Sequence, residues 1–158
     1  AAPLIVKEFP DVRFLLIGDG ILKEGLRNEA KRLGIFDNFV FAGLIPPDDI
    51  PPLIYAMDVL VHTSLREGLA RAIPQALLCA KPVVTFDIDG AREVVKDGRT
   101  GYIVPPKDIK ALAEKVISLL KDRTKSSRFG EEGKRIAAPL FGVDTMVKRI
   151  DAVYRELI

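Results

Sequence analysis

Two periods alternate along this chain. Short runs rich in Val, Ile, Leu and Phe fall at 13–17, 39–42, 59–62, 82–86 and 102–104, and each stops at Gly, Ser, Asp or Pro. Runs of this length, apolar on both faces, predict parallel strands buried on both sides. Between them, apolar residues return every three or four positions at 22–33, 50–56, 71–80 and 109–120. The last of these puts Ile109, Leu112, Ala113, Val116, Leu119 and Leu120 at helical spacing with Lys and Glu between them, and Asp108 stands where a cap belongs. Helical patterns continue at 127–138 and 143–157. The second places Met146, Val147, Ile150, Val153, Tyr154 and Leu157 on one face.

Such alternation predicts an α/β domain with a Rossmann-like, doubly wound parallel sheet. There is no internal repeat, low-complexity tract or linker, so residues 1–158 are expected to form a single domain. At 158 residues, 48% hydrophobic and 29% charged, the chain can bury a core and is too balanced to be disordered. Its 24 basic and 22 acidic residues leave a net charge of +2, too small a field to favour nucleic acid as a partner. The single cysteine, Cys79, sits in an apolar helical run, which excludes an internal disulfide framework and a cysteine-rich zinc site and suits a reducing cytoplasm. No apolar stretch approaches the roughly 18 residues that would span a membrane. A cytoplasmic protein is expected, with membrane association left open.

In doubly wound sheets, ligands sit beyond the carboxyl ends of the strands, where loops meet helix N-termini with unpaired amides. Those loops read Gly18-Asp19-Gly20, Gly43-Leu44-Ile45-Pro46-Pro47, Thr63-Ser64-Leu65-Arg66-Glu67-Gly68-Leu69-Ala70 and Asp87-Ile88-Asp89-Gly90. The third joins a strand to a helix through a glycine, as an anion cradle does. Pro74 fits there, because a residue in the first helical turn loses no hydrogen bond by lacking an N–H. Glu67 is the odd member. A carboxylate repels phosphate, so its presence calls for a hydroxyl or a developing positive charge nearby, and a sugar supplies both.

At these residues a resemblance emerges. The stretch Asp58-Val59-Leu60-Val61-His62-Thr63-Ser64, then Glu67-Gly68-Leu69-Ala70, Ala80-Lys81-Pro82-Val83-Val84, Glu93-Val94-Val95 and the run from Asp97-Gly98-Arg99-Thr100-Gly101 to Asp108 closely resemble the C-terminal domain of retaining GT-B glycosyltransferases of the glycosyl transferases group 1 type. The likeness runs from Phe14 to Tyr154, and the order and spacing of the motifs carry it more than any one of them. It implies binding of a nucleotide-diphosphate sugar and transfer of its sugar with retention of configuration, without a metal or other cofactor.

Position by position, the resemblance puts Glu67 on the first glutamate of the family's paired-acid motif, against the donor sugar, as the catalytic residue. Ser64, Gly68, Leu69, Ala70, Arg71 and Ala72 fall on the loop and helix start that hold sugar hydroxyls and diphosphate. Ile45 falls where the backbone meets the nucleotide base, and Gly18, Asp19 and Gly20 where the chain passes close to the donor. Gln75 stands on the second glutamate, which grips the ribose. This is a departure: Gln keeps an acceptor but loses the strength of a charge-assisted bond. The resemblance also implies that the family's first strand, its basic diphosphate clamp and the N-terminal acceptor domain lie outside this chain, which should then be inactive alone. That N-terminal domain becomes the expected partner, with the last helix packing partly on it, and any peripheral membrane contact falls to it.

Several of these residues also have a plainer explanation. Gly18-Asp19-Gly20 is a strand-to-helix turn or a ligand contact. Asp87 and Asp89 imitate an acid-x-acid metal site, yet alternate residues at a strand end point apart and a turn before Gly90 accounts for both. His62 packs or acts as a base, Arg66 and Arg71 neutralise phosphate or merely decorate the surface, and Asp48-Asp49 reads as a helix cap. A nucleotide-sugar epimerase and a noncatalytic nucleotide-binding module share the architecture and compete with transfer as the function.

Overall fold

The computed structural model describes residues 1–157. Helix α1 (Ala2–Glu8) leads into strand β1 (Phe14–Ile17), then α2 (Lys23–Arg32), β2 (Phe39–Gly43), α3 (Ile50–Ala56), β3 (Leu60–His62), α4 (Ala72–Leu78), β4 (Val83–Phe86), a single turn α5 (Ala91–Val94) and β5 (Gly101–Val104). Three helices close the chain: α6 (Ile109–Lys121), α7 (Arg123–Ala137) and α8 (Val143–Leu157). The strands and most helices fall within two residues of the periods read from sequence. Asp108 does cap α6, its carboxylate accepting from Ala111 N at 2.9 Å.

All pairing is parallel, but the sheet is split. Strand β1 pairs with β2 from Phe14↔Phe39 to Ile17↔Gly43, while β3, β4 and β5 pair in that order. Among the described residues no ladder joins the two parts. One hydrophobic cluster nevertheless draws on both: Phe14 of β1 and Val59 before β3 pack beside Ile5, Val84, Phe86, Leu112 and Leu119 under α1 and α6. Strand β1 thus faces β3 across an interruption that the front layer of helices bridges. The chain winds outward from this point in both directions, which makes it the switch point of a doubly wound sheet.

The split corrects the expectation that every strand is buried on both sides. Strand β4, flanked by β3 and β5, is buried at all four residues, whereas β1 is half-buried throughout and β3 leaves Val61 exposed. An unpaired edge, not a polar sequence, accounts for the difference.

Behind the three-stranded part, α4 lies between the strands and α7. Ile73, Ala76 and Leu77 pack on Val83 and Ala137 in a second core cluster. Glycines on α7 permit the contact: a Cβ on Gly130 would stand 1.9 Å from the Ala80 carbonyl oxygen, and one on Gly133 2.6 Å from Leu77 Cδ2. Helix α8 behaves differently. None of its described residues is buried, and Val143, Met146, Val147, Ile150, Val153, Tyr154 and Leu157 are exposed.

Candidate functional site

The loops singled out from sequence all lie at the carboxyl ends of the strands, gathered in two groups on either side of the interruption. On the β1–β2 side, Gly18 adopts φ +124°, a conformation that favours glycine, and its N–H donates to the Gly43 carbonyl at 2.8 Å. Asp19 accepts from Gly20 N at 2.8 Å and from Lys23 Nζ at 2.9 Å. The Lys23 ammonium first, and the Gly20 N–H second, hold the Asp19 carboxyl below its ordinary range. Asp19 is therefore a built turn residue, and Gly20 is exposed beside it. Ile45 is half-buried after β2.

On the β3–β4 side, the loop after His62 carries Ser64 and Glu67 and runs into α4. Ser64 Oγ donates to Glu67 Oε1 at 3.1 Å, and His62 Nε2 lies 3.6 Å from Glu67 Oε2. Each carboxylate oxygen is thus faced by a different side chain from the end of β3. Glu67 keeps 40% of its side chain exposed, so a ligand can reach it.

Beyond Glu67 the backbone offers donors. Ile73 N bonds the Ala70 carbonyl at 3.1 Å, Pro74 has no N–H, and Gln75 N bonds the Arg71 carbonyl at 3.2 Å. Among the described residues, no backbone carbonyl takes the amides of Gly68, Leu69, Ala70, Arg71 or Ala72. Arg71 and Gln75 are exposed at the entry and the second turn of α4. Arg66 is exposed as well, and among the described residues neither it nor Arg71 is held in an ion pair.

Sequence reasoning missed Gly90 as a site residue. Its N–H donates to the Gly68 carbonyl at 2.9 Å, which ties the loop after β4 to the Glu67 loop. The one signal for it was a glycine at the carboxyl end of the next strand. Asp87, just past the end of β4, is committed to Arg92 through bonds of 2.7 and 2.6 Å, and that guanidinium holds its carboxyl below the usual range. Asp49 occupies the cap position of α3 without a side-chain capping bond, so the cap expected there is positional only.

Known proteins resemble this chain over nearly its whole length. The family model described as glycosyl transferases group 1 matches residues 1–136. Spore coat protein SA of Bacillus subtilis is 32% identical over 99% of this chain and 44% of its own length. The 2-deoxystreptamine N-acetyl-D-glucosaminyltransferase of Streptomyces fradiae is 28% identical, covering 90% of this chain and 34% of that protein. Among solved structures, sucrose-phosphate synthase from Thermosynechococcus elongatus superposes with a TM-score of 0.90 at 23% identity, over 99% of this chain and 41% of that one. Anabaena HepE in complex with UDP gives 0.89 at 30% identity, over 98% and 44%. These neighbours are GT-B glycosyltransferases, and the chain spans less than half of each. Because nearly the whole chain superposes, the two sheet parts are spaced as they are in those larger molecules.

Proposed function

Because the chain belongs to the glycosyl transferases group 1 family, we propose that it forms the donor-binding half of an enzyme that transfers a sugar from a nucleotide-diphosphate sugar with retention of configuration. The observation that carries this is the loop after β3: a carboxylate that accepts from Ser64 and lies beside His62 stands next to a run of unpaired amides ending at α4. Amides of this kind suit a diphosphate and sugar hydroxyls, while the carboxylate suits a sugar carbon gaining positive charge. Glu67 is the catalytic residue of this proposal. Leu69, Ala70, Arg71 and Ala72 hold the donor through backbone N–H groups, and Gln75 reaches the ribose. Gly18, Gly20 and Ile45 line the other side of the switch point, where the backbone passes close to the donor and Ile45 meets the base. No step requires a metal.

The acceptor belongs to the part of the enzyme outside this half. The exposed apolar face of α8 is what such a part would cover, and the relatives' greater length supplies it. Among the described residues no helix is long and apolar enough to cross a membrane.

HepE has been solved with UDP and with UDP-glucose, so these are the probes of choice. Titrated into the isotope-labelled chain, both should bind weakly and shift the amides of Gly18, Ile45, Gly68, Leu69 and Ala70. Shifts confined to the opposite ends of the strands, around Asp58 and Lys81, would reject the site. Conversion of UDP-glucose to a sugar isomer without acceptor would replace transfer by epimerisation.

A further inference from the structure

Within the donor site just proposed, we infer that His62 is a positioning residue for Glu67, and that its ring carries a proton on Nε2. His62 ends β3 in register with Thr85 of β4. It shares a strand face with Leu60, which packs on the Ile73 and Leu77 core. That placement leaves the ring only 12% exposed, with Nδ1 buried and without a hydrogen-bond partner while Nε2 looks at Glu67 Oε2 from 3.6 Å.

The tautomer follows from which nitrogen has a partner. A proton on Nδ1 would be a buried donor with no acceptor, and it would leave the Nε2 lone pair facing a carboxylate. A proton on Nε2 puts a donor toward the carboxylate and leaves Nδ1 as an unpaired acceptor, the smaller of the two mismatches. The Nε2–Oε2 distance is longer than a hydrogen bond, but contacts of this kind tighten when a substrate is bound. Ser64 already donates to the other oxygen, so a donor on Oε2 stops the carboxylate from rotating. Among the described residues no Lys or Arg is ion-paired with Glu67. A guanidinium in the place of His62 would hold the carboxylate equally well and cancel much of the charge that the sugar is meant to feel.

His62 is the only histidine in the chain, so one ring gives the whole spectrum. In the histidine-labelled chain, long-range proton–nitrogen correlations should show a protonated Nε2 whose resonance moves in Glu67→Gln; a ring protonated on Nδ1 alone would overturn the inference. The functional arm compares UDP with UDP-glucose. His62→Leu should leave UDP affinity unchanged and lower the preference for UDP-glucose roughly threefold, no more than loss of the Glu67 charge itself. His62→Gln, whose amide can reach the position of Nε2, should restore the parental preference. Equal losses for both ligands in His62→Leu, or no change in their ratio, would make His62 a packing residue and overturn the proposal. If wild-type chain binds neither ligand, it is the donor-site proposal that falls, and the ring spectrum still decides the contact between His62 and Glu67.

Discussion

A side-chain carbon placed on Gly90 would stand 2.4 Å from the carbonyl oxygen of Gly68. The backbone angles of Gly90, φ −63° and ψ −1°, are open to any residue, so the close approach alone excludes a larger one. Gly90→Ala must push the Glu67 loop outward or break the 2.9 Å bond from Gly90 N. We expect a loss of about 1–3 kcal/mol in stability, the usual cost of overpacking, together with weaker UDP-glucose binding. Chemical denaturation and titration of the variant measure the two effects. A variant that melts and binds like the parent would show that the two loops are free of each other.

Ala80 supplies the opposite case. It closes α4 with φ +55°, and the bonds Lys81 N to Ala76 O and Ala80 N to Leu77 O, both 2.9 Å, form the paired C-terminal cap in which glycine normally fills this position. The methyl group of alanine costs about 1 kcal/mol in that conformation. Ala80→Gly should therefore raise stability by up to about 1 kcal/mol, read as a higher denaturation midpoint with an unchanged slope. Unchanged stability would show that the strain is relieved elsewhere.

Most of the element order was legible because the two hydrophobic periods are clean. The start of α7 was not: its first turn, at Arg123, holds no apolar face, and Asp122 announces it only through the bond from Lys125 N at 2.9 Å. The single turn α5 is too short for a period of 3.6 to show. The split between β1 and β3 does not show in the hydrophobic pattern, since both strands carry the pattern of a paired strand and only their neighbours differ; it was the resemblance, with the family's first strand outside this chain, that implied it. At the site, Glu67 and the free amides beside it stood out from sequence as charge and glycine at a strand end. The contact of His62 with Glu67 did not, because the path of the loop between them, not their spacing, brings the ring to the carboxylate.

Acid should loosen the tie between α7 and the loop before β5. The Glu132 carboxylate is gripped by Arg135 at 2.8 Å and by Arg99 from the loop before β5, which lowers it from 4.5 to about 2. A depressed carboxylate contributes stability that is fully present above its unfolded value and is lost as pH falls toward the folded one. The window is therefore from about 4.5 down to about 2. Glu132→Gln should melt lower than the parent at pH 7 and lose less further stability across that window. Parallel melting curves for the two proteins between these pH values would remove the ion pair from the stability of the domain.

Helix α8 buries no described residue of its own, so its removal should cost little. A chain ending at Gly142 is expected to keep its melting temperature within a few degrees and to aggregate less, because the exposed apolar face leaves with the helix. Light scattering on heating distinguishes this from a structural role, in which truncation would lower the melting temperature and raise scattering.

The charge on Glu67 is the most demanding test of the proposed chemistry. A retaining transfer passes through a state in which the sugar carbon carries positive charge, and a fixed carboxylate favours that state more than the bound donor. In the transferring enzyme proposed here, Glu67→Gln keeps an acceptor for Ser64 while removing the charge. Turnover should fall on the order of 10²-fold, the scale of losing one preorganised electrostatic group, with donor affinity held to within a few-fold. Gln75→Glu is the companion substitution. It places a charged acceptor at the ribose end of α4, so it should tighten donor binding and leave the rate of the chemical step alone. Steady-state turnover with direct measurement of donor affinity separates the two effects. If Glu67→Gln turns over at the parental rate, the carboxylate serves only to shape the loop through Ser64 and His62, and the sugar's charge must be met by another group.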